Sequence, residues 1–531
     1  MLRGVGGRGP AGDDPAATGR RLWIGRAIVA LTVVAVTVTL LREGRGVSGR
    51  ELETAWQLLD LRVLGDDPVG AVWYLHTQPP LHNLVVGLVA WTPLPPAGTL
   101  FVLYAASLLV TGLALHALLV RWHIAPLPAG AVVALALASP SLPNTVRIVS
   151  YEIPVAMLVV GTLWAIQHYL DEPALRWLLA ASATATLGVL SRSLLHPLWL
   201  VAVIALVLVA RPVPPRHLAA AAAIPLVLVG GWMVKNKVLF DTATTSSWLG
   251  FNLQRGVSGP MADRDVDAAV RDGSVSPQAV QQPWLDLDAY AATAGCVARH
   301  GDPAVARPVK SLEAGGKIAN FNAECYLPAY EQAQRDAVAL VRRSPRRYVE
   351  TRVASLAMTY QRVGSGWDLE RNWLDTLYAP ALIEVEYTAD MRDWNLPLLP
   401  VDELPIRSSL TLAACTLVVV GRSALAAARL TRRGWRGRHH WPADEVVWVV
   451  VGWTVLVVVL GSSLVEFGEN SRFRATVDPL LIALPPAALI RLLRARRAGE
   501  PAGGDGEEAA SGAPSSRQPA PPPQAVPAPG R

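Results

Sequence analysis

Residues 51–96 read ELETAWQLLDLRVLGDDPVGAVWYLHTQPPLHNLVVGLVAWTPLPP. Up to Asn83 the stretch is rich in polar side chains. It holds five carboxylates (Glu51, Glu53, Asp60, Asp66 and Asp67), Trp56, Trp73, His76 and His82, and a corner at Pro79-Pro80. Residues 81–96 are apolar over only about 14 residues, where a helix needs roughly 20 to cross a bilayer. Whether this piece crosses decides the side on which everything after it lies.

The rest of the chain is greasy. Of its 531 residues 52% are apolar and 17% charged, too apolar for an ordinary soluble protein of that length. Candidate spans lie at 22–41, 98–120, 126–140, 154–170, 175–193, 194–210, 217–235, 406–424, 444–464 and 475–492. The fold class is therefore an all-α polytopic membrane protein. Arg20, Arg21 and Arg26 at the start of the first span place the N-terminus in the cytoplasm. If 81–96 does not cross, the cytoplasmic connections are 121–126, 171–177, 211–217, the run RLTRRGWRGRHH at 429–440 and the C-terminus, and these carry most loop arginines. If it crosses, that run and Arg491, Arg494, Arg496 and Arg497 fall outside. The positive-inside bias selects the first arrangement: about ten transmembrane helices in the plasma membrane, 81–96 as an outer juxtamembrane element, both termini inside.

This topology divides the chain. Residues 1–21 are a disordered cytoplasmic N-terminus. Residues 22–235 are a transmembrane module with outer loops 42–97 and 141–153. Residues 236–405 form one large extracytoplasmic loop domain, 406–498 the C-terminal helices, and 499–531 a Pro- and Ala-rich disordered tail. The glycines of 4–9 match GxGxxG in form, but no strand precedes them, so they mark no nucleotide site. The arginine clusters adjoin membrane helices without a recognition fold, which argues against nucleic acid. Cys296 and Cys325 share the large loop, where a disulfide and two free thiols both stay open. Cys415 lies in a span, and no spacing suggests zinc. Trp248, Trp284, Trp367, Trp373 and Trp394 suit either sugar stacking or anchoring at the interface.

Chemistry-bearing residues gather in the outer pieces. Glu51 and Glu53 open an amphipathic helix on different faces, each suited to act as a general base or to cap the helix. Asp66-Asp67-Pro68 reads as a turn. His76 and Gln78 precede the proline corner, where they suit hydrogen bonds to a polar ligand. Glu152 stands just before a span, where it suits either a two-carboxylate site with the first outer loop or a salt bridge to Arg147. Arg192, His196, Lys235, Lys237, Arg255, Arg472 and Arg474 are cations on the outer face. They suit a phosphate, arginine bidentately, or serve as snorkelling anchors.

In order and spacing these pieces resemble the GT-C superfamily of polytopic glycosyltransferases, the protein-mannosyltransferase and aminoarabinose-transferase-like proteins. The resemblance rests on Glu51 or Glu53 as the acid of the first outer loop and on His76-Thr77-Gln78-Pro79-Pro80-Leu81 as its closing corner. It rests further on Glu152-Ile153-Pro154 before the next span and on Glu469-Asn470-Ser471-Arg472-Phe473-Arg474 with Pro479 near the end. It covers roughly residues 22–260 and 406–495; the large loop matches nothing in it. The first acid appears as Glu-x-Glu, and the last motif has Phe for Tyr and two extra residues between acid and arginine. The resemblance implies transfer of a sugar from a polyprenyl-phosphate donor to a glycan, lipid or protein acceptor outside the membrane. Glu51 or Glu53 would act as base or help hold a divalent cation (Mg or Mn), since some members use a metal and others do not. Glu152 would assist, and Arg192, Lys235 or Arg472 would neutralise the leaving phosphate. A transporter would place charges deep in the spans and repeat its halves. Here the spans are nearly free of charge, with His116 the main titratable group. A non-catalytic scaffold with a glycan-binding loop is the third reading, and the three acids argue against it.

Overall fold

The computed structural model describes residues 15–261, 263–290, 296, 298–363, 381, 383–390, 403–433 and 441–499. The first helices are α1 (Pro15–Arg42), α2 (Gly49–Thr54), α3 (Leu61–Asp66), α4 (Pro68–Trp73), α5 (Pro80–Trp91), α6 (Pro96–Arg121) and α7 (Pro126–Ala138). Then come α8 (Glu152–Asp171), α9 (Leu175–Ser191), α10 (Pro197–Ala210), α11 (Pro215–Pro225) and α12 (Gly231–Phe240). The loop domain adds α13 (Leu249–Val257), α14 (Asp263–Arg271), α15 (Pro303–Ala306), α16 (Leu327–Arg343) and α17 (Pro345–Thr359). The chain continues with α18 (Leu410–Arg432), α19 (Ala443–Val465), α20 (Asn470–Ala475) and α21 (Asp478–Gly499). Sheet is limited, among the described residues, to two antiparallel hairpins. They are β1 (Val309–Ser311) with β2 (Lys317–Ala319), and β3 (Glu384–Asp390) with β4 (Glu403–Ser409).

Seven helices among the described residues are long and apolar enough to cross a membrane by length and composition. Shorter apolar helices lie at α5, α9 and α10. Nine of the ten expected spans coincide with these apolar helices, α11 and α12 joined by a π-helical turn at Leu226–Gly230 after Pro225; the tenth, 475–492, falls on α21, which holds Pro485 and Pro486. The piece at 81–96 is the 12-residue helix α5, started by the proline corner that limits its first turn. Small residues let membrane helices approach closely. At Gly25 of α1 an added Cβ would lie 2.5 Å from the Pro126 carbonyl oxygen, and one at Gly130 of α7 would lie 2.7 Å from that of Gly25.

The two ends of the bundle are fixed differently. At one end ion pairs tie helix to helix: Arg121 to Asp171 (2.5 Å), Arg491 to Asp444 (2.7 Å), and Arg422 and Arg429 to Glu445 (2.8 and 2.9 Å). At the other end the segments 43–79, 139–151 and 466–477 meet the loop domain. That domain has an aromatic core of Trp248, Phe251, Tyr290, Phe321, Tyr326 and Tyr330. Trp248 is thus a core residue, its Nε1 donating to the Tyr330 hydroxyl at 3.0 Å. Trp367, Trp373 and Trp394 lie outside the described residues. Cys296 and Cys325 are joined as a disulfide, their Cα atoms 4.9 Å apart and 29 residues apart in sequence, which resolves the alternative left open above. A pair of this kind suits an oxidising compartment. Cys296→Ser should cost the loop domain about 2–4 kcal/mol. Limited proteolysis in detergent checks this, with cleavage expected within the loop domain before the helices.

Candidate functional site

Glu152 is the first residue of α8 and is fully buried. Its Oε1 accepts from Arg192 Nη1 at 2.6 Å and from Arg472 Nε at 2.8 Å. Arg192 ends α9 and Arg472 sits in α20, so three distant stretches of sequence meet at one carboxylate. The Arg192 guanidinium lies 4.0 Å from the Phe473 ring centroid and 5.0 Å from that of Tyr151. Its Nε and Nη2 and the second oxygen of Glu152 are buried without a protein partner. Buried polar atoms are nearly always satisfied, so this arrangement fits a polar ligand or water that completes it.

The network continues into the loop domain. Arg472 Nη1 donates to Glu469 Oε2 at 2.8 Å. Arg255 of α13 pairs with Glu466 and lies 3.6 Å from Glu469, with its guanidinium 4.6 Å from the Trp284 ring. Burial pushes the Glu466 carboxyl above its ordinary value against the pull of Arg255. Burial would raise Glu469 too, but Arg472 and Arg255 outweigh it and hold that carboxyl low. Arg472 itself is held above the usual guanidinium value, because Glu152 and Glu469 outweigh the burial that opposes it.

The first outer loop contributes differently. Glu51 makes a capping box with Ser48 and pairs with Arg147 at 3.3 Å. Arg147 therefore serves Glu51 and not Glu152, correcting the pairing expected from sequence, because two arginines from other segments already occupy the buried oxygen of Glu152. Glu53 accepts from the Glu313 backbone N–H at 3.1 Å, beside Asp60 and Lys310. Lys310 donates to the Ala55 and Leu58 carbonyls at 2.9 and 3.2 Å, and burial pushes it down to about 8. Asp60 and Asp67 cap α3 and α4, as turn residues do.

Three expected ligand contacts are instead taken up internally. His76 is buried: its Nε2 donates to the Asn322 carbonyl and its Nδ1 accepts from the Ser247 hydroxyl, both at 2.9 Å. Gln78 is buried two residues on. Lys235 donates to the Leu75 carbonyl at 2.7 Å and lies over the Trp232 ring. Arg474 is saturated by Asp478 and the carbonyls of Thr359 and Gln361. His76, Lys235 and Arg474 thus tie segments far apart in sequence to one another. His196 is an exposed cap of α10. Arg352, Asn322 and Lys310 hold the same end together and escaped the sequence reading, since nothing local marks a loop residue whose partners lie far along the chain. Among the described residues no three His, Cys, Asp or Glu side chains cluster as a metal site requires.

His76 gives a pH-dependent contact. Burial, then Lys235, lower it from 6.5 to about 3, against the Asn322 carbonyl. The unfolded chain binds this proton first, so the contribution of His76 is full above about pH 6.5 and is lost as pH falls toward 3. The thermal midpoint in detergent should drop between pH 7 and 4, and His76→Gln should flatten that part of the slope.

No family model and no curated protein sequence matches the chain. Two solved structures do. One is the archaeal oligosaccharyltransferase AglB from Archaeoglobus fulgidus, in complex with an inhibitory peptide and a dolichol-phosphate. It is 12% identical at a TM-score of 0.41, over 93% of this chain and 53% of that one. The other is ArnT from Cupriavidus metallidurans in the apo state, 16% identical at a TM-score of 0.31, over 85% of this chain and 78% of that one. The chain spans about half the length of the oligosaccharyltransferase it matches.

Proposed function

We propose that the chain is an integral membrane glycosyltransferase that moves a sugar from a polyprenyl-phosphate donor to a cell-envelope acceptor at the outer face of the membrane. The observation that carries this reading is the convergence of Glu152, Arg192 and Arg472 at one buried point with unsatisfied N–H groups. The acceptor hydroxyl oxygen attacks C1 of the donor sugar. The C1–O bond to the phosphate breaks and its electron pair stays on the phosphate oxygen. Arg192 Nε and Nη2, with Arg472, stabilise that oxygen, and fixed cations in a water-poor site do so strongly. Glu152 holds the two guanidinium groups side by side against their repulsion. Glu51 takes the acceptor proton. It is preferred over Glu53 because its arginine partner lies in the same loop as Glu152. The outer-face placement rests on the arginine distribution and on the disulfide.

The experiment is a lipid analysis of cells that lack the gene or carry Glu152→Gln. A polyprenyl-phosphate sugar should accumulate in both and return to normal on wild-type complementation. An unchanged lipid-linked sugar pool would sink the proposal.

A further inference from the structure

The helix α17 does not follow the span it packs against. The Tyr348 hydroxyl donates to the Leu464 carbonyl at 2.9 Å, Arg352 Nη1 to the Ser463 carbonyl at 3.1 Å, and Ser355 to the carbonyls of Ser463 and Glu466. Thr359 meets the Ser463 hydroxyl at 3.0 Å. From 348 to 359 a helix rises about 16 Å, yet all four contacts meet residues 463–466 at the end of α19. The helix therefore lies across the end of the span, at the level where the chain leaves the bilayer. Its last carbonyl neighbour, Tyr360, accepts from Ser409 at 2.9 Å, just before α18 begins.

The outward stripe of α17 is apolar where a surface helix should be polar. Val349 and Val353, one turn apart, are 61% and 57% exposed. Leu464 of α19, whose carbonyl takes the Tyr348 hydroxyl, Leu460 one turn before it, and Leu410 of α18, next to the Ser409 that bonds Tyr360, are exposed as well. Exposed apolar side chains thus stand along α17 and on the ends of the two spans it is bonded to. At its N-terminal end the sequence is Arg342-Arg343-Ser344-Pro345-Arg346-Arg347. Arg346 and Arg347 share Glu350, and Arg343 pairs with Asp272. Arg342 has no carboxylate within 4 Å among the described residues, so four cations face two carboxylates. Such a surplus on a non-cytoplasmic face runs against the usual loop bias, and its place beside an apolar stripe matches the layering of headgroup and acyl chain.

We propose that α17 is seated in the membrane interface, with Val349 and Val353 among acyl chains, and that the 342–347 arginine corner binds the phosphate of an anionic glycerophospholipid headgroup. This rests on the fold and its contacts and is independent of the transferase reading.

Two measurements on the full chain in nanodiscs of mixed phosphatidylglycerol and phosphatidylcholine test it. In a Cys415→Ser background, a nitroxide on Val353→Cys should be relaxed by oxygen and shielded from a water-soluble nickel chelate. Native mass spectrometry should show phosphatidylglycerol retained in preference to phosphatidylcholine. Arg342→Gln, Arg346→Gln and Arg347→Gln should lower that retention about fivefold for each charge removed, with phosphatidylcholine unchanged. A nitroxide open to the chelate would overturn the seating. Equal retention of the two lipids, or a triple variant that retains phosphatidylglycerol like the wild type, would overturn the headgroup site.

Discussion

Glu152→Ala should cost the fold about 3–5 kcal/mol and abolish transfer, because it strands buried charge. Glu152 is fully buried, and Arg192 and Arg472 are 1% and 5% exposed. With the carboxylate gone, two guanidinium groups face one another with a single remaining counterion, Glu469, on Arg472 alone. Nothing among the described residues replaces it for Arg192. Glu152→Gln separates the two effects. The amide keeps the shape and one acceptor oxygen but not the charge. It should fold, with a thermal midpoint between those of wild type and Ala, and transfer should fall about 100-fold or more as the two guanidinium groups lose their alignment on the phosphate. Scanning fluorimetry of the three proteins in one detergent, beside their transfer rates, checks both halves.

Arg192→Lys should leave the fold nearly intact and lower kcat/KM by about 100- to 1000-fold. The lysine retains one positive charge for Glu152, so the burial penalty stays balanced. It loses the planar fork whose Nε and Nη2 carry the unsatisfied N–H groups. It also loses the flat stacking on Phe473 and Tyr151. A structural role would predict the reverse, a lower thermal midpoint with kcat/KM hardly changed. Arg474→Lys is the control: Arg474 is saturated by Asp478 at the start of α21 and by two carbonyls, so its loss should appear in stability before rate.

The fold was largely legible in the sequence because length and hydropathy dictate membrane helices nearly by themselves. The short apolar piece at 81–96 forms the 12-residue helix α5. Glu152 and Arg192 each stand at the end of an apolar helix and Arg472 in the short helix α20, so the sequence marked all three as polar groups at the outer face. Which partner each takes was not legible. Arg147 is the nearest cation to Glu152 in sequence but pairs with Glu51, because tertiary packing brings two other arginines to Glu152 first. The same blindness led His76, Lys235 and Arg474 to be read as ligand contacts. Their partners Asn322, Leu75 and Thr359 come from segments whose approach no local pattern records. The disulfide had one available pairing within the loop, but only folding brings Cys296 beside Cys325.

The most direct test of the account is reconstitution. The purified chain in proteoliposomes is given a lipid extract containing polyprenyl-phosphate sugars and a cell-envelope acceptor fraction. Free polyprenyl phosphate is then measured against sugar gained by the acceptor. The account predicts equal amounts of both with wild type and about a hundredth or less of each with Glu152→Gln. Donor that appears intact in the opposite leaflet, with no polyprenyl phosphate freed, would contradict it and make the chain a lipid transporter.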